Sequence, residues 1–156
     1  MNTDSAPRQV FQRLDDYKNE HGWEEDDEFW LVIDLDRWGQ GTHAANLSDV
    51  FQQCRQKGYR IALSNPCFEF WLMLHFANAP DQEISCAEAS QILREHSGGY
   101  NKAKVYNLPI QMEQVHQAGS RSKAAFTTVE ELWNKNGSNV FQIVETLLDE
   151  SASISG

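Results

Sequence analysis

Cysteine is scarce in this chain: 156 residues hold three, Cys54, Cys67 and Cys86. Their spacing makes neither a metal-ligand motif nor an even disulfide set. The expectation is therefore reduced thiols, each a small buried or half-buried side chain. Cations are outnumbered as well, with 13 Lys and Arg against 23 Asp and Glu, a net charge of −10. That balance argues against loose, charge-driven adhesion to nucleic acid or to an anionic membrane. Long apolar runs are missing. A run such as Phe70 to Leu74, which none exceeds, falls far short of the about 20 residues that cross a bilayer. The opening MNTDSAPRQV has no apolar signal core, so export is not expected and a cytoplasmic protein is. Internal repeats and low-complexity tracts are also absent.

What is present suits one globular domain spanning 1–156, with an ordered core over 8–150 and a flexible tail, SASISG, over 151–156. Hydrophobic residues make up 40% of the chain and include five Trp and eight Phe, too many for a disordered polymer. Charge is unevenly spread. Residues 1–50 hold 12 acidic and 4 basic side chains, whereas residues 99–123 hold 4 basic and one acidic. The second segment is a positive island in an acidic protein.

Residues 8–20 place Val10, Leu14 and Tyr17 at helical spacing. FWLVID (29–34) reads as a strand covered on both faces, the kind found in parallel sheets. Residues 44–57 carry Leu47, Val50, Phe51 and Cys54 on one helical stripe, and Gly58 suits a C′ position. RIALS (60–64) is the next strand, completing a βαβ unit. Asn65 and Pro66 look like an N-cap and N1 pair opening an apolar helix over 67–78. Ser85 with Glu88 forms a capping box for a helix over 85–96. Residues 109–126 suggest one or two helices interrupted near Gly119, and 139–150 closes with an amphipathic helix. The class is α/β: a small parallel, Rossmann-type sheet with several packed helices and a helix-rich C-terminal half.

Asp34 and Asp36 follow the first strand directly, where open parallel sheets bind their ligands. In an extended chain, residues i and i+2 point the same way, so both carboxylates could face one cation. Mg²⁺ (or Mn²⁺) asks for few carboxylates and keeps several waters, which suits such a pair. The plainer alternative is an acidic loop ending a strand. Ser64, Asn65 and Glu69 sit at the matching end of the next strand and helix. Glu69 either complements the helix dipole or approaches the same cleft. His75 reads as a core histidine by itself, yet it and Glu69 are the ionisable groups of an apolar helix, and such groups cluster at functional sites. Tyr100, Lys102, Lys104, Arg121 and Lys123 make up the positive island. They are solvated cations or a grip on phosphate.

The order WLVIDLDRW, IALSNPCFEFWLMLHF, GGYNKAK and GSRSKAAF resembles the RloB-like family of restriction and phage-defence loci, from about residue 8 to 150, with SNPCFEFWLMLHF the most specific part. The resemblance implies a Toprim-like fold. In it Asp34 and Asp36 match the D-x-D pair that binds Mg²⁺, Glu69 and His75 fall in the family signature, and Lys102 falls in its Y-x-K segment. The Toprim pattern also has a glutamate ending an earlier strand, a position that here would precede Met1. Glu24, Glu25 and Glu28 do not follow an apolar strand. A shortened or degenerate member, or a later start codon, is expected on that ground.

The function implied is a Mg²⁺-dependent nuclease of antiphage defence acting on DNA or RNA, with Asp34, Asp36, Glu69 and His75 catalytic. Ser64, Asn65, Lys102, Lys104, Arg121 and Lys123 would bind phosphate. The alternative is a non-catalytic binding or regulatory subunit of a partner ATPase, and self-association stays open. A haloacid-dehalogenase-type phosphatase fits Asp34, Asp36, Ser64 and Asn65 in kind. It lacks a later strand with its acidic pair, and Arg37 and Trp38 follow the D-x-D where that chemistry wants a small hydroxyl.

Overall fold

The computed structural model describes residues 6–39 and 41–154. Helix α1 (Pro7–His21) opens on a proline, whose missing N–H has no helical partner to lose at that position. Its buried residue Phe11 packs beside Tyr59, with ring centroids 5.8 Å apart. Strand β1 (Trp30–Asp34) is followed at once by a single helical turn, α2 (Leu35–Trp38), and then by α3 (Thr42–Lys57). Gly58, at φ 73°, ends α3 in the left-handed conformation expected of it. Strand β2 (Arg60–Asn65) then returns parallel to β1, with Asp34 opposite Ser64. The βαβ unit is formed.

The sheet is mixed rather than wholly parallel. A third strand, β3 (Gly137–Ser138), pairs antiparallel with the far edge of β2, giving the order β1-β2-β3. Two residues, one of them glycine, carry no hydrophobic period, so nothing in the sequence marked this strand. Asn139 extends the pairing with its side chain. Its Oδ1 accepts from the Leu63 N–H at 2.6 Å, and its Nδ2 donates to the Ile61 carbonyl at 2.8 Å. Fully buried, it stands in for a further rung of the ladder.

Two apolar layers flank the sheet. Leu31, Ile33 and Leu63 pack against Phe11, Leu47, Val50 and Cys54 on the side of α1 and α3. Ala62 faces the other layer, built from α4 (Phe68–Met73), α5 (Cys86–Ser97), α6 (Met112–Ala125) and α7 (Phe141–Ile154). This second layer covers β2 and β3 but meets β1 only at Trp30. Val32 is consequently 48% exposed, and the expectation that β1 is covered on both faces is corrected. The uncovered strip of β1 becomes the floor of a cleft.

Four local expectations also change. The helix expected over 67–78 spans Phe68–Met73, because β2 runs on through Asn65 and Cys67 takes the N-cap position. Asn65 instead donates from Nδ2 to the Leu132 carbonyl at 2.7 Å. Helix α6 passes through Gly119 unbroken. A helical glycine costs about 1 kcal/mol, which the buried contacts of α6 offset. Residues 151–154 continue α7 rather than fraying, while 155–156 lie outside the described residues. Finally, Cys67 and Cys86 form a disulfide, not two reduced thiols. The fold brings the starts of α4 and α5 together, with their Cα atoms 5.7 Å apart. A separation of 19 residues in a chain with an odd cysteine count hid the pairing. Cys54 is free and buried, and burial pushes its thiol up to about 11. Ser85 and Glu88 form the capping box as read.

Candidate metal and phosphate site

Asp34 ends β1 at the N-cap position of α2, with no capping bond from its side chain, and Asp36 lies in the first turn of α2. The extended i, i+2 geometry assumed for the pair therefore gives way to a strand-to-helix turn. That turn is held in place from below, because the Asp36 N–H donates to the Pro66 carbonyl at 2.9 Å. Both aspartates still line one cleft of about 590 Å³, together with Val32, Ile33, Trp38, Cys67, Cys86 and Lys102. It lies outside the carboxyl end of the parallel pair, where such sheets take their ligands.

The start of α4 closes one wall. The Phe68 N–H donates to Asp34 Oδ1 at 3.0 Å. One residue on, Glu69 is buried, with a side chain 4% exposed. Its Oε1 accepts from Tyr100 Oη at 3.2 Å and pairs with Lys102 Nζ at 3.1 Å. Burial, then repulsion from Glu69 and from Asp36, pushes the Asp34 carboxyl up to about 6. The same surroundings, burial first and then the Glu69 charge, push the Tyr100 phenol up to about 12. Groups whose pKa is shifted by burial and by neighbouring charges cluster at functional sites.

Among the remaining residues singled out from sequence, Lys102 reaches the cleft. Lys104 lies in the same 3₁₀ segment, Lys102–Asn107, and is exposed. Ser64 is buried and shares a hydrogen bond with Ser138, Oγ to Oγ 2.8 Å, across the β2–β3 pair. His75 sits beyond the end of α4, buried, with Nδ1 3.0 Å from the Trp71 carbonyl and its ring edge-on to that indole. Burial pulls its pKa down, and it holds the place of a satisfied core histidine. Arg121 donates from its guanidinium to Leu74 O at 2.6 Å and Asn78 Oδ1 at 2.8 Å, fastening α6 to the chain beyond α4. Lys123 pairs with Glu145 on α7. The structure thus gathers Asp34, Asp36, Glu69, Tyr100 and Lys102, and leaves His75, Arg121 and Lys123 with the α6 side. Cys67 and Cys86 were missed as cleft residues, since contact between α4 and α5 alone puts them there.

A family model described as RloB-like protein matches residues 1–147. The chain belongs to the RloB-like family. The matched span of this RloB-like protein takes in β1, β2 and β3 and the first half of α7. No curated protein and no solved structure matches it. No helix of the described residues is long and apolar enough to cross a membrane.

Proposed function

We propose that the cleft binds Mg²⁺ or Mn²⁺ through Asp34 and Asp36 and acts on nucleic-acid phosphodiesters, as a Toprim-like nuclease of antiphage defence. One observation carries this reading: two aspartates line a cleft at the carboxyl end of the parallel pair, edged by Lys102, with the buried Glu69 close enough to Asp34 to repel its charge. The donor set fits a hard cation, since it offers carboxylate oxygens and leaves room for waters. When bound, the ion would supply Lewis acidity toward a phosphoryl oxygen and a water of lowered pKa. The chain's own groups do the remainder. The Phe68 N–H engages Oδ1 of Asp34, so Oδ2 would be the oxygen offered to the ion. Glu69 orients Lys102 at the rim, where Lys102 and Lys104 would hold the phosphate backbone.

The test is cleavage of labelled DNA and RNA, single- and double-stranded, with and without Mg²⁺. Metal-dependent cleavage abolished by Asp34→Asn supports the reading, and no cleavage of any substrate by the folded protein removes it. A second reading has its own observation. Lys102 already compensates Glu69, which lowers the negative charge left for a metal. A non-catalytic nucleic-acid-binding or regulatory subunit, associated with an ATPase, would keep such a pair. It predicts an electrophoretic shift without cleavage.

A further inference from the structure

Glu69 presents two unlike oxygens. Oε1 takes both donors, Tyr100 and Lys102. The contact on Oε2 is Cys86 Sγ at 3.7 Å, and a disulfide sulfur has no proton to donate. A buried carboxylate oxygen turned toward sulfur without a proton between them is a poor arrangement for the oxidised pair alone. It is a good one for a cation. Cys67 Sγ, Cys86 Sγ and a Glu69 oxygen all lie within 4.8 Å of one another.

We infer that, once the disulfide is reduced, Cys67, Cys86 and Glu69 form a site for a thiophilic divalent cation such as Zn²⁺. The proposal shares Glu69 with the Mg²⁺ reading but does not rest on it, because hard cations choose oxygen and leave thiolates alone. An S₂O donor set with Zn–S near 2.3 Å and Zn–O near 2.0–2.2 Å fits a cluster of this size. Tyr100 and Lys102 act behind the ligand, fixing Oε1 so that Oε2 faces the metal, as outer partners of metal ligands do. Cys67 and Cys86 line the cleft beside Asp34, so the fourth position opens to solvent and takes a water.

The exchange balances. An external dithiol gives up two electrons and two protons to the S–S bond and becomes a disulfide, leaving thiols on Cys67 and Cys86. The cation then displaces both thiol protons to solvent. An external disulfide reverses the sequence: it accepts two electrons from the thiolates and two protons from solvent, becomes a dithiol and releases the metal, so the two sulfurs hold either each other or the ion.

The experiment uses the full chain, reduced with dithiothreitol, desalted without oxygen and titrated with Co²⁺. Sulfur-to-cobalt charge-transfer absorption saturating at one equivalent, and bleached by Zn²⁺, is the expected result. Oxidised protein and Mg²⁺ should give none. Cys54→Ser should leave the absorption unchanged, Cys67→Ser and Cys86→Ser should remove it, and Glu69→Gln should weaken Co²⁺ binding at least about tenfold. Absorption that survives in Cys67→Ser or vanishes in Cys54→Ser overturns the proposal. So does its absence from reduced wild type with all thiols titratable, whether circular dichroism finds that protein folded or finds it unfolded and not restored by Zn²⁺.

Discussion

The Phe68 N–H donates to Asp34 Oδ1 at 3.0 Å, joining the last residue of β1 to the first of α4. This bond sets the carboxylate that opens the cleft against the helix that carries Glu69. It also keeps Asp34 close to a like charge, for a carboxylate that repels Glu69 and Asp36 stays charged only with difficulty.

Removing that charge should stabilise the metal-free protein. The folded-state pKa of Asp34, about 6, is raised above its ordinary value of 3.8. The folded protein therefore binds the proton more tightly than the unfolded chain. Stability from this group is gained as pH falls through about 6 toward the ordinary value, and lost at neutral pH. Asp34→Asn keeps an acceptor for Phe68 and should raise stability at pH 7 by roughly 1–2 kcal/mol, discounted for partial solvent screening. The gain should vanish below about pH 4, and urea melts at both pH values check it.

A divalent cation relieves the same repulsion. Mg²⁺ or Mn²⁺ at ten times its dissociation constant adds about 1.4 kcal/mol, or about 3–5 °C in Tm for a chain of this size. Replacing both aspartates, with Asp34→Ala and Asp36→Ala, should abolish the increment in a thermal scan. Calorimetry that detects no binding at millimolar metal would count against the site itself.

Lys102 is mostly exposed, yet its partner is buried. Lys102→Ala leaves the Glu69 carboxylate with Tyr100 as its remaining donor, and should lower stability by about 1–2 kcal/mol, less than a fully buried pair would lose. Lys102→Ala combined with Glu69→Gln should recover most of this loss, because a neutral amide can still accept from Tyr100. With Glu69→Gln alone completing the cycle, a double-variant loss equal to the sum of the two single losses would show that the pair is not coupled.

Asn139 deserves a mutation for a different reason. Its side chain satisfies the Leu63 N–H and the Ile61 carbonyl on β2. Asn139→Ala should cost about 2–4 kcal/mol by leaving both groups buried and unpaired, and Asn139→Asp should also destabilise because the donor is lost. Chemical denaturation of the pair of variants measures it.

The local instructions were written in the sequence. Gly58 ends α3 because only a residue without a Cβ adopts φ 73° freely, and Ser85 with Glu88 starts α5 because each side chain reaches the other's backbone N–H. Asp34 could be placed at a strand end by the apolar run before it. Such features depend on neighbours a few positions away. The remainder required distant segments to meet. Whether β1 is covered, which cation meets Glu69, why Arg121 turns to Leu74 and how Cys67 finds Cys86 all follow from where α4, α5 and α6 settle on the sheet. That placement is set by packing between layers, which has no period in the chain. Composition and spacing therefore named the carboxylates, and tertiary packing chose the lysine and the sulfurs that surround them.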